Sequence, residues 1–185
     1  MNQHQKTARR KNAALLVIDI QERILPVIFE NGRVVENSIK LINGFKIMNL
    51  PVYFTEQYPK GLGVTESRIK SALEPLEAIN KMTFSCSGAG DLFEQFSKKG
   101  IEQIVVCGIE AHVCVTQTVL DLLAIDFQVH VAADAVSSRR KFDYETALRR
   151  MEKNGAEITL TESVLFELLE VCGTDEFKAV SKLVK

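Results

Sequence analysis

The chain has 185 residues, of which 46% are hydrophobic and 25% charged, a composition typical of one soluble domain with a sizeable core. Its formal net charge of −1 argues against a basic surface for nucleic acid or for an acidic membrane. The four cysteines are scattered through a chain large enough to need no disulfides, and the lack of a Cys-x-x-Cys pair argues against a zinc knuckle and a thioredoxin-like motif. We therefore expect reduced thiols and a cytoplasmic protein that binds neither nucleic acid nor membrane.

Residues 1–12 are polar and carry four basic side chains without an acidic one. They lack the apolar segment of a secretory signal, and no apolar run in the chain is long enough to span a bilayer. We interpret them as a flexible N-terminal tail, with a mitochondrial transit segment as the alternative.

Beyond the tail, short apolar runs alternate with segments of helical periodicity. The runs predict six strands, at 13–18, 52–55, 79–84, 104–107, 129–133 and 158–160. The periodic segments predict helices at about 34–48, 65–73, 92–100, 113–125, 144–154, 162–170 and 175–184, and Pro and Gly predict a loop at 59–63. Such alternation indicates right-handed βαβ units, so we predict a three-layer α/β/α fold with a mostly parallel, six-stranded, Rossmann-like sheet in a single domain, 13–185.

Ligands of such sheets bind beyond the carboxyl ends of the strands. The residues predicted at that edge are Asp19 after the first strand, 56–58 after the second, Lys81 on or near the third, 110–114 after the fourth and Asp134 at the end of the fifth. No GxGxxG follows the first strand, which argues against a dinucleotide site. These residues are therefore the candidates for chemistry.

Cys114 is the most informative of them, because it follows the turn at Gly108 and stands where a helix is predicted to begin. Backbone N–H groups at a helix N-terminus lower a thiol pKa and favour the reactive thiolate, although free cysteines are more often small buried hydrophobes. Asp19 is either a general base or a structural cap, and an ammonium at Lys81 would help to keep both groups ionised. His112 is two residues from Cys114, a spacing that does not bring two side chains of a helix together.

Four segments in this order resemble the isochorismatase-like cysteine hydrolase family, over about residues 13–168. They read LLVIDIQ at 15–21, KMTFS at 81–85, GIEAHVCV at 108–115 and AADA at 132–135. The resemblance implies a catalytic triad of Asp19, Lys81 and Cys114 and a cis peptide bond before Glu110. It further implies an oxyanion hole formed by the backbone N–H groups of Glu110 and Cys114, and a homo-oligomer.

The stretch TEQYP at 55–59 departs from the nicotinamidases of this family, which bind a metal there through an acid and histidines. No histidine occurs anywhere between residues 5 and 111, so the chain resembles the small, metal-free branch and no cofactor is expected. Four residues are predicted to line the substrate pocket together with Glu110, because they lie at the same edge: Gln21, Gln57, Tyr58 and Phe84.

The resemblance implies a hydrolase that cleaves an amide, carbamoyl or related C–N bond of a small molecule through a thioester on Cys114. The alternative is a catalytically silent protein of the same fold that binds a partner or acts as a thiol-redox module. An RNA-processing role has the least support, since only the basic tail could serve it. The sequence does not identify the substrate.

Overall fold

The computed structural model describes residue 4 and residues 6–185, and a six-stranded sheet organises them. The strands are β1 Ala13–Ile18, β2 Val52–Gln57, β3 Ile79–Lys81, β4 Gln103–Gly108, β5 Gln128–Val136 and β6 Glu157–Thr159. They lie in the order β3-β2-β1-β4-β5-β6, and every neighbouring pair is parallel. The central strands β1 and β4 are buried along their whole length, as expected for a sheet covered on both faces.

Helices connect the strands and form the outer layers. They are α1 Asn31–Ile47, α2 Pro59–Leu62, α3 Ser67–Leu73, α4 Leu92–Lys98, α5 Thr116–Ala124, α6 Lys141–Lys153, α7 Thr161–Leu169 and α8 Asp175–Val184. A π-helical segment, Ala111–Val115, runs directly into α5. The predicted loop at 59–63 is wrong over α2, because Pro59 occupies the first position of that short helix, where a missing N–H costs nothing.

Two apolar cores lie on opposite faces of the sheet, because successive side chains of a strand point to opposite sides. Leu15 and Val17 of β1 pack with residues of α1, α3, α7 and α8, whereas Leu16 and Ile18 pack with residues of α4, α5 and α6. The predicted three-layer α/β/α fold is thereby confirmed. No helix in the part of the chain that the structure describes is both long and apolar enough to cross a membrane.

The segment that precedes β1 differs from the predicted flexible tail over the residues that are described. Ala8 is fully buried, and its N–H donates to Glu167 of α7 at 2.8 Å. The guanidinium of Arg10 donates two hydrogen bonds to the carboxylate of Glu176, at 2.6 and 2.8 Å. A buried alanine and a bidentate pair hold this segment against the C-terminal helices. Residues 1–3 and 5 of the predicted tail lie outside the described residues.

Candidate active site

Asp19 follows β1 at the carboxyl edge of the sheet, and the neighbouring strand β2 fixes its position. The backbone of Asp19 has a φ of 50°, a left-handed conformation that aspartate tolerates better than most residues. Its N–H donates to the carbonyl of Thr55 at 3.2 Å, and the Thr55 hydroxyl donates to its carboxylate at 2.8 Å. The carboxylate is therefore aimed along the edge of the sheet, with only 3% of the residue exposed.

Lys81 is the last residue of β3, and its ammonium group forms a buried ion pair with Asp19. Lys81 Nζ lies 2.6 Å from Asp19 Oδ2 and 2.8 Å from Gln57 Oε1. The carbonyl oxygens of Thr83 and Phe84 accept from the same nitrogen at 3.2 and 2.9 Å. An ammonium has three N–H donors, so these four acceptors occupy all of them. Lys81 therefore holds the Asp19 carboxylate in place and has no donor left for a substrate.

The turn between β4 and α5 brings Cys114 to the same place. Gly108 ends β4 with a φ of 127°, and a Cβ at this position would overlap the carbonyl oxygen of Ile18 in β1. Only glycine permits that backbone conformation and that close approach. The following peptide bond, Ile109–Glu110, is cis, as the family resemblance implies. The π-helical segment starts at Ala111 and carries Cys114 on its fourth residue.

Some backbone N–H groups of this turn have an acceptor among the described residues, and others do not. Those of Ala111, His112 and Val113 donate to Ser137 O, Ser138 Oγ and Glu110 O respectively. The N–H of Glu110 has no acceptor within the described part of the chain. Cys114 is the fourth residue of the helical segment that follows. The N–H of Glu110, at the start of this turn, is thus left for a ligand.

The Cys114 thiol is buried beside the ion pair, with 7% of the residue exposed. Its sulfur lies 4.0 Å from Gln57 Oε1, and the Asp19 side chain lines the same pocket. Burial, reinforced by the charge of Asp19, raises the pKa of the Cys114 thiol to about 12. Burial thus opposes the lowering of this pKa that a helix N-terminus is expected to cause, and that expectation stays a prediction. Burial also raises the pKa of Asp19, against the opposing effect of Lys81.

A pocket of about 180 Å³ opens above these groups. Of the predicted pocket residues, Gln57, Phe84 and Glu110 line it. Gln21 lies beneath: it is fully buried, and its amide accepts from the N–H of Gln57 and donates to the Gln57 carbonyl, at 2.8 and 3.0 Å. Tyr58 lies outside the pocket, 46% exposed at the start of α2. Gln21 thus positions a wall residue without forming the wall.

Sequence reasoning missed four other wall residues, all apolar: Ile24, Leu62, Ile109 and Val113. It also missed Arg139, whose guanidinium donates to both carboxylate oxygens of Glu110, at 2.7 and 3.2 Å. Leu62 and Arg139 are distant in sequence from the three edge residues, Ile24 follows Asp19 by a few residues, and none of them belongs to a motif, so only the folded chain identifies them.

Asp134 and His112, which were also considered from the sequence, have hydrogen-bond partners outside the pocket lining. Asp134 lies within β5, and its carboxylate accepts from the N–H and the hydroxyl of Thr161 at 2.8 and 2.9 Å. It therefore braces the start of α7 and does not reach the pocket. Ser138 Oγ lies 2.9 Å from Nδ1 of His112. Among the described residues, no group of three or more His, Cys, Asp or Glu side chains could hold a metal ion.

Similarity to known proteins agrees with this architecture. Residues 13–163 match the Isochorismatase domain family. The chain is 38% identical over 174 residues to isochorismatase domain-containing protein 2 of Danio rerio, covering 94% of this chain and 87% of that one. The structure of MAR1 ribonuclease from Caenorhabditis elegans superposes with a TM-score of 0.91 at 38% identity, over 96% and 92% of the two chains.

A more distant neighbour is the Escherichia coli YcaC product, described as an octameric hydrolase of unknown specificity. It superposes with a TM-score of 0.89 over 98% of this chain and 92% of its own, at 21% identity, a likeness that concerns the fold alone. The family match spans most of the chain. The chain therefore belongs to the isochorismatase family and has its hydrolase fold.

Proposed function

We propose that this protein is a cysteine hydrolase that cleaves an amide, carbamoyl or related C–N bond of a small molecule, with Asp19, Lys81 and Cys114 as its triad. The observation that carries the proposal is a pocket lined by the buried Cys114 thiol and the Asp19 carboxylate, with the ammonium of Lys81 paired to that carboxylate from behind and the N–H of Glu110 without an acceptor in the described chain. A nucleophile, a base held by a third group and an oxyanion site are the parts that acyl transfer needs.

In the first half of the proposed reaction, Asp19 takes the proton of Cys114 as the sulfur attacks the substrate's carbonyl carbon. The N–H groups of Glu110 and Cys114 stabilise the oxygen of the tetrahedral intermediate. The C–N bond then breaks, and the proton passes from Asp19 to the leaving nitrogen. The products are a free amine or ammonia and an acyl thioester on Cys114.

In the second half, Asp19 takes a proton from water, whose oxygen attacks the thioester carbon. The C–S bond breaks, the proton returns to the sulfur, and the acid is released. Lys81 donates to the Asp19 carboxylate and stabilises its ionised form. The raised pKa of Cys114 fits this sequence, because a thiol that rests protonated needs a base in contact with it when the carbon–sulfur bond forms.

The test is an acyl-enzyme experiment. The protein is mixed with a panel of small amides, quenched with acid within seconds, and examined by intact and peptide mass spectrometry, while ammonia release is measured in parallel. We expect an acyl adduct on the peptide of Cys114 and no ammonia from Cys114→Ser. The matched control, Cys172→Ser, removes an exposed thiol and should retain the activity. Ammonia release that survives in Cys114→Ser would overturn the proposal.

A second candidate is RNA cleavage, and the observation in its favour is the 38% identity to a protein described as MAR1 ribonuclease. Against it stand the net charge of −1 and the small pocket, since RNA binding depends on cationic contacts to phosphates. The assay is cleavage of a fluorescent RNA oligomer by wild type and Cys114→Ser. Cleavage by the wild type that is lost in Cys114→Ser would support this candidate, and no cleavage would remove it.

We also propose that the protein forms a homo-oligomer, with the octameric YcaC product as the support. Light scattering after gel filtration should give a multiple of the 20.7 kDa chain mass. A mass of one chain would contradict this. The cytoplasmic location stays a prediction based on the scattered, unpaired cysteines.

A further inference from the structure

We propose that the pocket selects small, neutral substrates with a compact apolar acyl group and rejects anionic ones. This inference names a substrate class for the site and rests on the proposed hydrolase function. Three properties of the pocket carry it: its volume, its apolar walls and the absence of a cation from its lining.

The first property is the volume of about 180 Å³. An apolar protein cavity of about 150 Å³ accommodates one benzene molecule, whereas pockets for drug-sized ligands measure about 300–1,000 Å³. The part of a substrate that enters this pocket is therefore comparable to a branched butyryl or a benzoyl group.

The second property is the composition of the walls. Five of the nine lining residues are apolar: Ile24, Leu62, Phe84, Ile109 and Val113. They come from four separate segments, so they surround the space above the thiol and do not form one strip. Phe84 is 56% exposed and stands at the entrance. An acyl chain that fills this space is removed from water on several sides, which favours an apolar one.

The third property concerns charge. Among the nine lining residues, all within the described part of the chain, there are two carboxylates and no cation. Lys81 lies behind Asp19 with its three N–H donors occupied. Arg139 lies behind Glu110 and directs Nε and one terminal nitrogen at that carboxylate. A carboxylate on a substrate would lose its hydration here, with two carboxylates in the lining and no cation in the lining to compensate.

The test compares two alkylating reagents of similar size, of which iodoacetamide is neutral and iodoacetate is anionic. Rates are measured by peptide mass spectrometry at Cys114 and, in the same protein, at the exposed Cys172. The ratio of the two rates at Cys172 gives the reagents' intrinsic difference. We expect the ratio of the iodoacetamide rate to the iodoacetate rate to be at least about tenfold higher at Cys114 than at Cys172, because a buried charged group without a partner is strongly disfavoured.

The variant Glu110→Gln removes one lining carboxylate and frees the guanidinium of Arg139. The ratio at Cys114 should then fall towards that at Cys172. The matched control is Glu94→Gln, which removes an exposed carboxylate paired with Lys98 on α4 and should leave the ratio unchanged. Equal ratios at the two thiols of the wild type would overturn the inference. So would a Cys114 that iodoacetamide does not reach, since a pocket for small neutral amides must admit this one.

A separate experiment tests the size limit of the pocket. The bulkier neutral reagent 2-iodo-N-phenylacetamide should react with Cys114 more slowly, relative to Cys172, than iodoacetamide does. Leu62→Ala, which removes part of the wall, should reduce this difference, whereas Leu76→Ala at the far end of the sheet should not. No dependence on reagent size would contradict the proposed volume limit. Alkylation needs no turnover, so these outcomes are separate from the acyl-enzyme test: the pocket can prove unselective while Cys114 still forms a thioester.

Discussion

The two ends of the sheet each carry a cavity, and they differ in what lies beneath it. The amino ends of β2 and β3 border the larger one, an open groove of about 390 Å³ that includes Tyr53, Leu76 and Lys99. Its charged groups lie at the surface, with Lys99 donating to the Tyr53 hydroxyl at 3.0 Å. The pocket at the carboxyl ends has about half that volume but covers a buried ion pair and a thiol. The contrast favours the buried, mutually bonded ionisable groups, and not the larger cavity, as the place of the proposed chemistry.

The variant Cys114→Ser has the largest expected effect and tests whether the chemistry takes place at the carboxyl-end pocket. We expect kcat/KM for a small amide to fall by at least about 10³-fold, as losses of a catalytic nucleophile do. The alcohol keeps the volume and shape of the thiol, so the thermal midpoint should change little. Differential scanning calorimetry alongside the ammonia assay separates the two effects. A modest loss of activity would place the chemistry elsewhere in the molecule.

The next effect concerns stability. Lys81→Met leaves the Asp19 carboxylate buried without its cation, and removing one partner of a buried pair typically costs about 3–5 kcal/mol in the free energy of unfolding. Urea denaturation at pH 7 measures this cost. The matched control is Lys98→Met, which breaks an exposed pair with Glu94 on α4 and should cost less than about 1 kcal/mol. Similar costs for both variants would mean that the Asp19–Lys81 pair is not buried in solution.

A smaller effect comes from His130, in the amino half of β5 and opposite Glu157 of β6. Burial lowers the pKa of His130 from 6.5 to about 4, and its Nε2 has no hydrogen-bond partner among the described residues. The folded protein therefore binds the proton less well than the unfolded chain does. The resulting stabilisation, about 3 kcal/mol at most, is present above pH 6.5 and lost as the pH falls towards 4.

The variant His130→Leu removes this titration. Unfolding free energies measured by urea denaturation between pH 7 and pH 4.5 should fall less steeply for the variant than for the wild type. The exposed His4 supplies the control, and His4→Leu should follow the wild type. Parallel curves for all three proteins would show that the pKa of His130 is the same in the folded and the unfolded state.

The smallest effect is expected in the groove at the amino ends. Leu76 is 40% exposed there, so Leu76→Ala should change the free energy of unfolding by no more than about 0.5 kcal/mol. Activity on small amides should stay within about twofold of wild type, because this side chain lies at the opposite end of the sheet from the thiol. A large loss of activity would make the groove part of the functional surface and remove the contrast between the two ends.

The strands were predictable where burial leaves a continuous apolar run. The bounds predicted for β1, 13–18, are those observed, because both faces of that strand are covered. Helix ends were less predictable. The helix predicted from residue 113 begins two residues earlier as a π-helical segment, because Ser137 and Ser138 accept its first N–H groups. Contacts with residues some 26 positions away leave no local signal.

The site divides in the same way. Asp19, Lys81 and Cys114 could be named in advance because each lies at or beside the end of a strand, and parallel strand ends meet at one edge. The pKa of the thiol could not be predicted from the sequence, since it depends on how deeply Cys114 is buried. The commitment of Arg139 to Glu110 was equally hidden, because it joins two loops through side chains that carry no motif.

Gly108 has a consequence for how this protein can diverge. A side chain there would run into the backbone of β1, so a substitution would push apart β1 and β4, the strands that precede Asp19 and Cys114. The neighbouring wall positions Ile109 and Val113 lack this restriction and face the pocket directly. We therefore expect substitutions that change substrate choice to be tolerated at positions 109 and 113 but not at position 108. Natural variants and laboratory libraries alike should keep the glycine.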